Sequence, residues 1–152
     1  MSIWFEPFSV EELNSYQQKT LVTHLGIRYT EVGDDYLKAV MPVDEHTKQP
    51  AGILHGGASV ALAETLGSTG ANLVVDRSKK LCVGLDINAN HIRAMRTGEV
   101  TGIARPLHIG GSTQVWEIRI VNEDEKLVCI SRITMSVLER AAFKEMASRR
   151  SG

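Results

Sequence analysis

The chain has 152 residues, 43% of them hydrophobic and 23% charged, with a formal net charge of −1. That length and balance fit one soluble globular domain and argue against a disordered chain. Acidic and basic residues are interspersed for most of the length, which argues against a general nucleic-acid or membrane-surface protein.

The N-terminus, MSIWFEPF, has no basic region followed by an apolar stretch, so no signal peptide is read and the cytoplasm is the expected location. Ser9 and Glu12 have the spacing of a capping box, which predicts a short helix from Val10 to about Gln18. A second turn over Leu21 to Leu25 ends at Gly26. Ile27 to Val32 and Tyr36 to Val43 read as a hairpin about the Gly33-Asp34-Asp35 turn. Pro42 and Pro50 exclude regular helix from the polar connection that follows. Residues from Gly56 or Gly57 to about Val75 then form a long helix, and Asp76 to Lys80 a charged loop.

The remainder is strand after strand: Leu81 to Arg93, Glu99 to His108, Thr113 to Val121 and Lys126 to Leu138. In Thr113 to Val121, Trp116, Ile118 and Ile120 alternate with Val115, Glu117 and Arg119, as in a half-buried strand. The order predicts an α+β fold: one long helix and a mostly antiparallel sheet. Residues 1–140 are expected to form a single domain, and 141–152 a modestly basic tail read as a solvated terminal helix or a frayed end. Cys82 and Cys129 lie in strand-like apolar contexts with no Cys-x-x-Cys, as buried free thiols of a reduced compartment do.

The long helix is the unusual element. It is apolar on nearly all faces and must be covered all round by a curved sheet. Ten of its residues are Gly, Ala or Ser, which allows close backbone approach. Its composition, with Glu64 and Asn72 inside, does not suit a membrane span. Glu64 is the only charged residue between His55 and Asp76. A carboxylate in an apolar wall costs several kcal/mol unless bonded, paired or protonated, and such surroundings tune it as a base or nucleophile.

His55, Gly56 and Gly57 mark the start of the helix, where unpaired N–H groups and the positive end of the dipole would polarise a carbonyl oxygen. Ser68 shares a face with Glu64 at i+4. Helix start and carboxylate together suit acyl transfer, without a Gly-x-Ser-x-Gly elbow. His46, His55, His91 and His108 are scattered without metal-ligand spacing, so no metal is expected. Gly110-Gly111 is not followed by a helix and is no phosphate loop. Arg93, Arg96 and Arg105, on or near the late strands, each read as solvent-exposed strand charge, although cations there could meet an anionic ligand.

The stretches Met41-Pro-Val-Asp, Gln49-Pro, Gly52-Ile-Leu-His55-Gly-Gly-Ala-Ser and Leu62-Ala-Glu64-Thr-Leu-Gly-Ser68 closely resemble the hotdog-fold acyl-CoA thioesterases of the hydroxybenzoyl-CoA thioesterase type. Val83 to Arg93, Pro106 to Gly110 and Gln114-Val-Trp116 extend the resemblance from about Ile3 to Leu138. It is nearest to two groups, the 1,4-dihydroxy-2-naphthoyl-CoA hydrolases of menaquinone biosynthesis and the proofreading thioesterases of the enterobactin pathway. The resemblance implies a hotdog fold, with a helix wrapped by an antiparallel sheet. It implies a homodimer with active sites at the interface, commonly assembled into a tetramer. It also implies Glu64 as nucleophile or general base, and Gly56 as donor to the thioester carbonyl. His55 and Gln49 would orient thioester and water, and Ser68 would hold the water. Along the coenzyme A arm it implies His91, Ile92, Arg93 and Ala94, the segment His108, Ile109, Gly110, Gly111, Ser112 and Thr113, and Gly84 nearby. No cofactor is implied, since coenzyme A is part of the substrate.

Four features depart from the resemblance, among them Ala94, where proline or another hydrophobe is usual after Arg93. Gly111-Ser112 stands where a basic or larger residue is usual. Ala51 replaces an aromatic and widens the expected acyl pocket, and the tail from Arg140 has no counterpart. The expected activity is hydrolysis of acyl-CoA thioesters with an aromatic acyl group. The alternatives are a proofreading thioesterase acting on a misacylated aryl carrier protein, and a non-catalytic acyl-CoA-binding protein, which Glu64, His55, Gln49 and Ser68 together disfavour. A hydratase on the same fold needs a different His/Asp arrangement.

Overall fold

In the computed structural model, residues 1–150 are described. The capping box forms as expected: the Ser9 hydroxyl accepts from the Glu12 N–H at 3.1 Å, and the Glu12 carboxylate accepts from the Ser9 N–H at 2.7 Å. The helix it opens, α1 (Val10–Ser15), is shorter than the sequence suggests. Lys19 takes a left-handed φ of 59°, and Thr20 starts a fresh cap whose hydroxyl accepts from the Val22 N–H. That cap opens α2 (Leu21–His24), and Gly26, at φ 73°, turns the chain into the first hairpin. The hairpin strands are β1 (Arg28–Val32) and β2 (Leu37–Pro42).

The central helix is α3 (Gly56–Leu73), followed by β3 (Lys80–His91), β4 (Glu99–Ile109), β5 (Thr113–Val121) and β6 (Leu127–Glu139). One six-stranded sheet, entirely antiparallel, has the order β1-β2-β4-β5-β6-β3. It curves about α3 in the hotdog arrangement. Leu62, Ala63, Leu66 and Ala71 of α3 are fully buried against Trp116, Ile118, Ile120 and Ile133. The close approach has a plain cause. A Cβ on Gly67 would lie 2.4 Å from Ile133 Cγ2, and one on Gly70 2.8 Å from the Trp116 ring. Buried polar groups are matched. The Trp116 indole N–H donates to Gln114 Oε1 at 2.8 Å, and the Gln114 amide donates to the Ala71 carbonyl at 3.2 Å.

Asn72 fastens α3 to the sheet edge. Its amide donates to the Cys82 carbonyl at 3.0 Å and its Oδ1 accepts from the Cys82 N–H at 2.9 Å, so the side chain takes the place of a neighbouring strand. Cys82 and Cys129 are buried free thiols, with acidities weakened by burial.

The two sheet edges differ. β1 is five residues long, bulged between Tyr29 and Glu31, and carries the Glu31–Lys38 ion pair, all devices that discourage further pairing. β3 is twelve residues long and, beyond the Asn72 bonds at Cys82, open along its outer side. Leu85 projects from a bulge between Gly84 and Asp86, with 65% of its surface exposed. After β6, the tail forms a helix, α4 (Arg140–Arg149), which has no buried residue. Ser151 and Gly152 of the expected tail lie outside the described residues.

Candidate active site

His55 is the N-cap of α3, and its Nδ1 accepts from the Gly57 N–H at 2.8 Å. With Nδ1 accepting, Nε2 is the ring nitrogen left to donate. The Ala58 and Ser59 N–H groups both turn to the His55 carbonyl. The Gly56 N–H alone among the first four has no acceptor among the described residues. It opens into a cleft of about 340 Å³, whose walls include Gln49, Ser59, His91, Arg93 and Ala94. The His91 ring lies over Gly56, where an added Cβ would come within 2.8 Å of Nε2. Gln49 sits in a tight turn closed by the Gly52 N–H on its carbonyl, with Gly52 at φ 76°. Its Oε1 is held by the Ala51 N–H at 2.6 Å, which leaves the amide N–H groups as donors. The cleft therefore presents two kinds of donor at the positive end of an eighteen-residue helix.

The His55 side chain is turned elsewhere. It lines a second cleft of about 300 Å³ on the other side of the helix start, with Leu25, His46, Gly57 and Ala61. Gly56 and Gln49 thus come together, while the imidazole faces the opposite flank.

Glu64 stands eight residues along α3 from Gly56, about 12 Å of helix rise away and turned about 80° around the axis. Its carboxylate has no ion pair and no hydrogen bond among the described residues. Burial raises its pKa above the ordinary glutamate value. The carboxylate lies against Gly84 of β3, where an added Cβ would be 2.7 Å from Oε1. Ser68 follows one turn later on the same face, beside a third cleft.

The expected coenzyme A residues divide the same way. His91 pairs with Cys129 near one end of β6, while Thr113 and Val83 both pair with Ser136 near the other. Seven residues of β6 separate the two ends, roughly 24 Å of strand. One end holds Gly56, Gln49, His91, Ile92, Arg93 and Ala94. The other holds Glu64, Ser68, Gly84 and the β4–β5 turn from His108 to Thr113. That turn is closed by the Gly110 N–H on the Thr113 carbonyl. In a single chain the two groups of residues therefore lie at opposite ends of β3.

A profile described as the thioesterase superfamily matches residues 51–129, just over half of the chain and including Gly56, Glu64, Gly84 and His91. The chain belongs to the thioesterase superfamily. It is 48% identical to the 1,4-dihydroxy-2-naphthoyl-CoA hydrolase of Escherichia coli over 136 residues, which cover 90% of this chain and 99% of that one. It is 49% identical to the proofreading thioesterase EntH of Cronobacter turicensis over 136 residues, covering 90% and 98% of the two chains. The crystal structure of a Q49A mutant thioesterase from Pseudomonas aeruginosa superposes with a TM-score of 0.89 at 48% identity, covering 91% of this chain and 99% of that one.

Two features of this thioesterase were not read from its sequence. Ser59, buried to 1% exposure, and Val128 line the cleft beside Gly56. Ser59 is three residues after Gly56 and so shares its helix face, a signal that periodicity carries. Val128 is placed by tertiary structure alone, through the bonds of its carbonyl to the Ile92 and Arg93 N–H groups. Among the three arginines on or near the late strands, Arg93 lines the cleft. Arg105 is committed elsewhere, paired with Asp35 at 2.5 Å and stacked over the Tyr36 ring. No three His, Cys, Asp or Glu side chains gather as a metal site among the described residues, and none of the described helices is long and apolar enough to cross a membrane.

Proposed function

We propose that two copies of the chain pair through β3 and hydrolyse acyl-CoA thioesters at two composite sites. Each site takes Gly56 and Gln49 from one copy and Glu64 and Ser68 from the other. The observation that carries this reading is the division of the machinery into two half-sites at opposite ends of an unpaired edge strand. A two-fold axis that pairs a strand with its own copy makes the pair antiparallel. An axis near Ile87 and Asn88, midway between Gly84 and His91, sets Gly84 of one copy opposite His91 of the other. The carboxylate lying on Gly84 then meets the cleft that Gly56 and His91 form.

In that geometry the thioester oxygen accepts from the Gly56 N–H at the positive end of α3, helped by the Gln49 amide. Glu64 acts on the carbonyl carbon by one of two routes. It attacks directly, expelling coenzyme A as the thiolate and leaving an anhydride that water cleaves. Alternatively it takes a proton from water, whose oxygen attacks while the C–S bond breaks. Ser68 is the water's second partner, and no metal or organic cofactor takes part. His55 acts through the cap, fixing the helix start on which Gly56 depends.

The acyl group of this proposal is aromatic, in keeping with the name of the E. coli relative. Room for it lies in the cleft of about 260 Å³ between α1 and the second half of α3, lined by Leu13, Tyr16, Ser68, Thr69 and Leu73. Thr69 is held there by a 2.6 Å hydrogen bond with Tyr29, whose burial pushes its pKa up to about 12 and keeps it protonated.

The test is thiol release from benzoyl-, hydroxybenzoyl-, dihydroxynaphthoyl- and aliphatic CoA thioesters and from an aryl carrier protein thioester, with wild type beside Glu64→Gln. Fast hydrolysis of an aromatic CoA member that drops by orders of magnitude in Glu64→Gln is expected. Near-normal turnover in that variant overturns the role of Glu64. Release from the carrier protein alone moves the substrate to that class.

A further inference from the structure

We infer that α4 forms a wall of the coenzyme A cleft of the partner copy, with Lys144 as a cation for the phosphates of its nucleotide. The inference rests on the β3-paired dimer proposed above. The start of α4 is fixed to the sheet edge. The Arg140 N–H donates to the Lys79 carbonyl at 2.8 Å and the Arg140 guanidinium to the Arg77 carbonyl at 2.5 Å. Glu139, one residue earlier, pairs with Lys80, the first residue of β3. The helix therefore rises at the end of β3 where the β4–β5 turn also lies, since the Val137 N–H donates to the Ser112 carbonyl.

Antiparallel pairing carries that end past the far end of the partner strand, beside the partner's Arg93 and Ala94. Lys144 follows Arg140 at i+4, on the face that Arg140 turns toward the sheet edge. Arg77, Lys79, Lys80 and Arg140 come together there, and Lys144 lies one helical turn further along α4. Against them stand Asp76, paired with Lys79 at 3.5 Å, and Glu6, loosely paired with Arg77 at 3.9 Å, with Glu139 and Glu145 near. The surplus is positive, and it sits where the β4–β5 turn, Gly110-Gly111-Ser112, has no cation of its own. Beyond Arg140 the described residues of α4 are exposed, Phe143 at 41% and Met146 at 54%, and in a single copy the helix touches the sheet at β6. In the dimer it stands against the cleft mouth.

The test uses the full chain. Calorimetry follows free coenzyme A binding to wild type, Lys144→Glu and Lys144→Arg at low and physiological salt. Hydrolysis compares benzoyl-CoA with the benzoyl thioester of N-acetylcysteamine, which lacks the nucleotide. Lys144→Glu is expected to weaken coenzyme A about three- to tenfold at low salt and less at higher salt, with Lys144→Arg restoring it. The KM for benzoyl-CoA should rise relative to that for the N-acetylcysteamine thioester by the same factor. Unchanged coenzyme A binding in Lys144→Glu, equal rises in both KM values, or a monomeric mass in solution would each overturn it. Lys144-dependent coenzyme A binding without hydrolysis of any thioester would uphold the nucleotide contact and remove the hydrolase reading instead.

Discussion

The Glu64 carboxylate rests on Gly84, so closely that a methyl group there would sit 2.7 Å from its Oε1. β3 bulges immediately after that glycine, which lets the edge strand bend around the acid. Gly84→Ala should push the carboxylate aside without harming the core, because the clash is with the far end of one side chain. Turnover is expected to fall by about tenfold or more, since small misplacements of a reacting group are costly. The melting temperature should stay within a few degrees. Calorimetric melting and kcat measured on the same preparation decide it, and unchanged kcat would show that the carboxylate works from another rotamer.

Burial raises the Glu64 pKa above the ordinary value of 4.5, and this has an opposite sign for stability and for activity. A carboxyl group that is more easily protonated when folded favours the fold at low pH and loses that contribution as pH rises through its folded pKa. Glu64→Gln should therefore melt close to wild type at pH 4 and above it at pH 8. Activity needs the ionised form. The acid limb of kcat/KM in wild type should bend above pH 4.5, and the residual activity of Glu64→Gln should lack that bend. Thermal melts and pH–rate profiles of the two proteins check both signs.

Gly70 faces the Trp116 ring at a distance that leaves no room for a methyl group. Gly70→Ala gains about 1 kcal/mol of helix propensity and meets an overpacking cost of about 1–3 kcal/mol, so net destabilisation is expected. Urea denaturation measures it. An unchanged midpoint would mean that the sheet can move away from α3.

Gly70 and Gly67, both within α3, illustrate what is legible in the chain. Glycine inside an otherwise strong helix signals close approach before any neighbour is known. The alternation of Trp116, Ile118 and Ile120 likewise marks a core face. All six strands and the long helix follow from such local patterns, with ends shifted by a residue or two. α1 stops about three residues early: the chain turns at Lys19, left-handed at φ 59°, and Thr20 caps a new helix, a cap worth about 1 kcal/mol. The site is harder. Gly56 and Glu64 announce themselves as a helix start and an isolated carboxylate, yet periodicity does not tell that their neighbours lie at opposite ends of β3. That separation is a matter of register, set by pairings such as His91 with Cys129 and Thr113 with Ser136, which no local pattern records.

Position 56 offers a clean test of the carbonyl donor. It is the first residue of α3, where proline is well tolerated because its φ suits the helix and the missing N–H would be unpaired anyway. His55, at φ −69° and ψ 130°, already has the extended conformation that a following proline requires. Gly56→Pro thus removes the backbone N–H proposed to polarise the thioester, leaving the Gln49 amide, at the cost of a shift in the His91 ring. A loss of about 10²–10³ in kcat is expected, the scale of a missing oxyanion donor. Circular dichroism and the melting temperature should remain near wild type. Full activity would remove Gly56 from the reaction.

Glu64→Gln and Gly56→Pro together test whether each site is shared between two copies. Within one helix the two groups are about 12 Å apart in rise, too far to act on one carbonyl. Each variant alone should be inactive at both sites of its own dimer. In a mixed dimer, one site joins the intact Glu64 of the Gly56→Pro copy to the intact Gly56 of the Glu64→Gln copy, while the other site carries both defects. Unfolding and refolding an equal mixture should yield mixed dimers as about half of the total by random pairing, each with one working site, so about a quarter of wild-type activity should return. Co-refolding the two variants and measuring thiol release makes the distinction. Sites confined to single chains would recover nothing, because no chain in the mixture carries both groups intact.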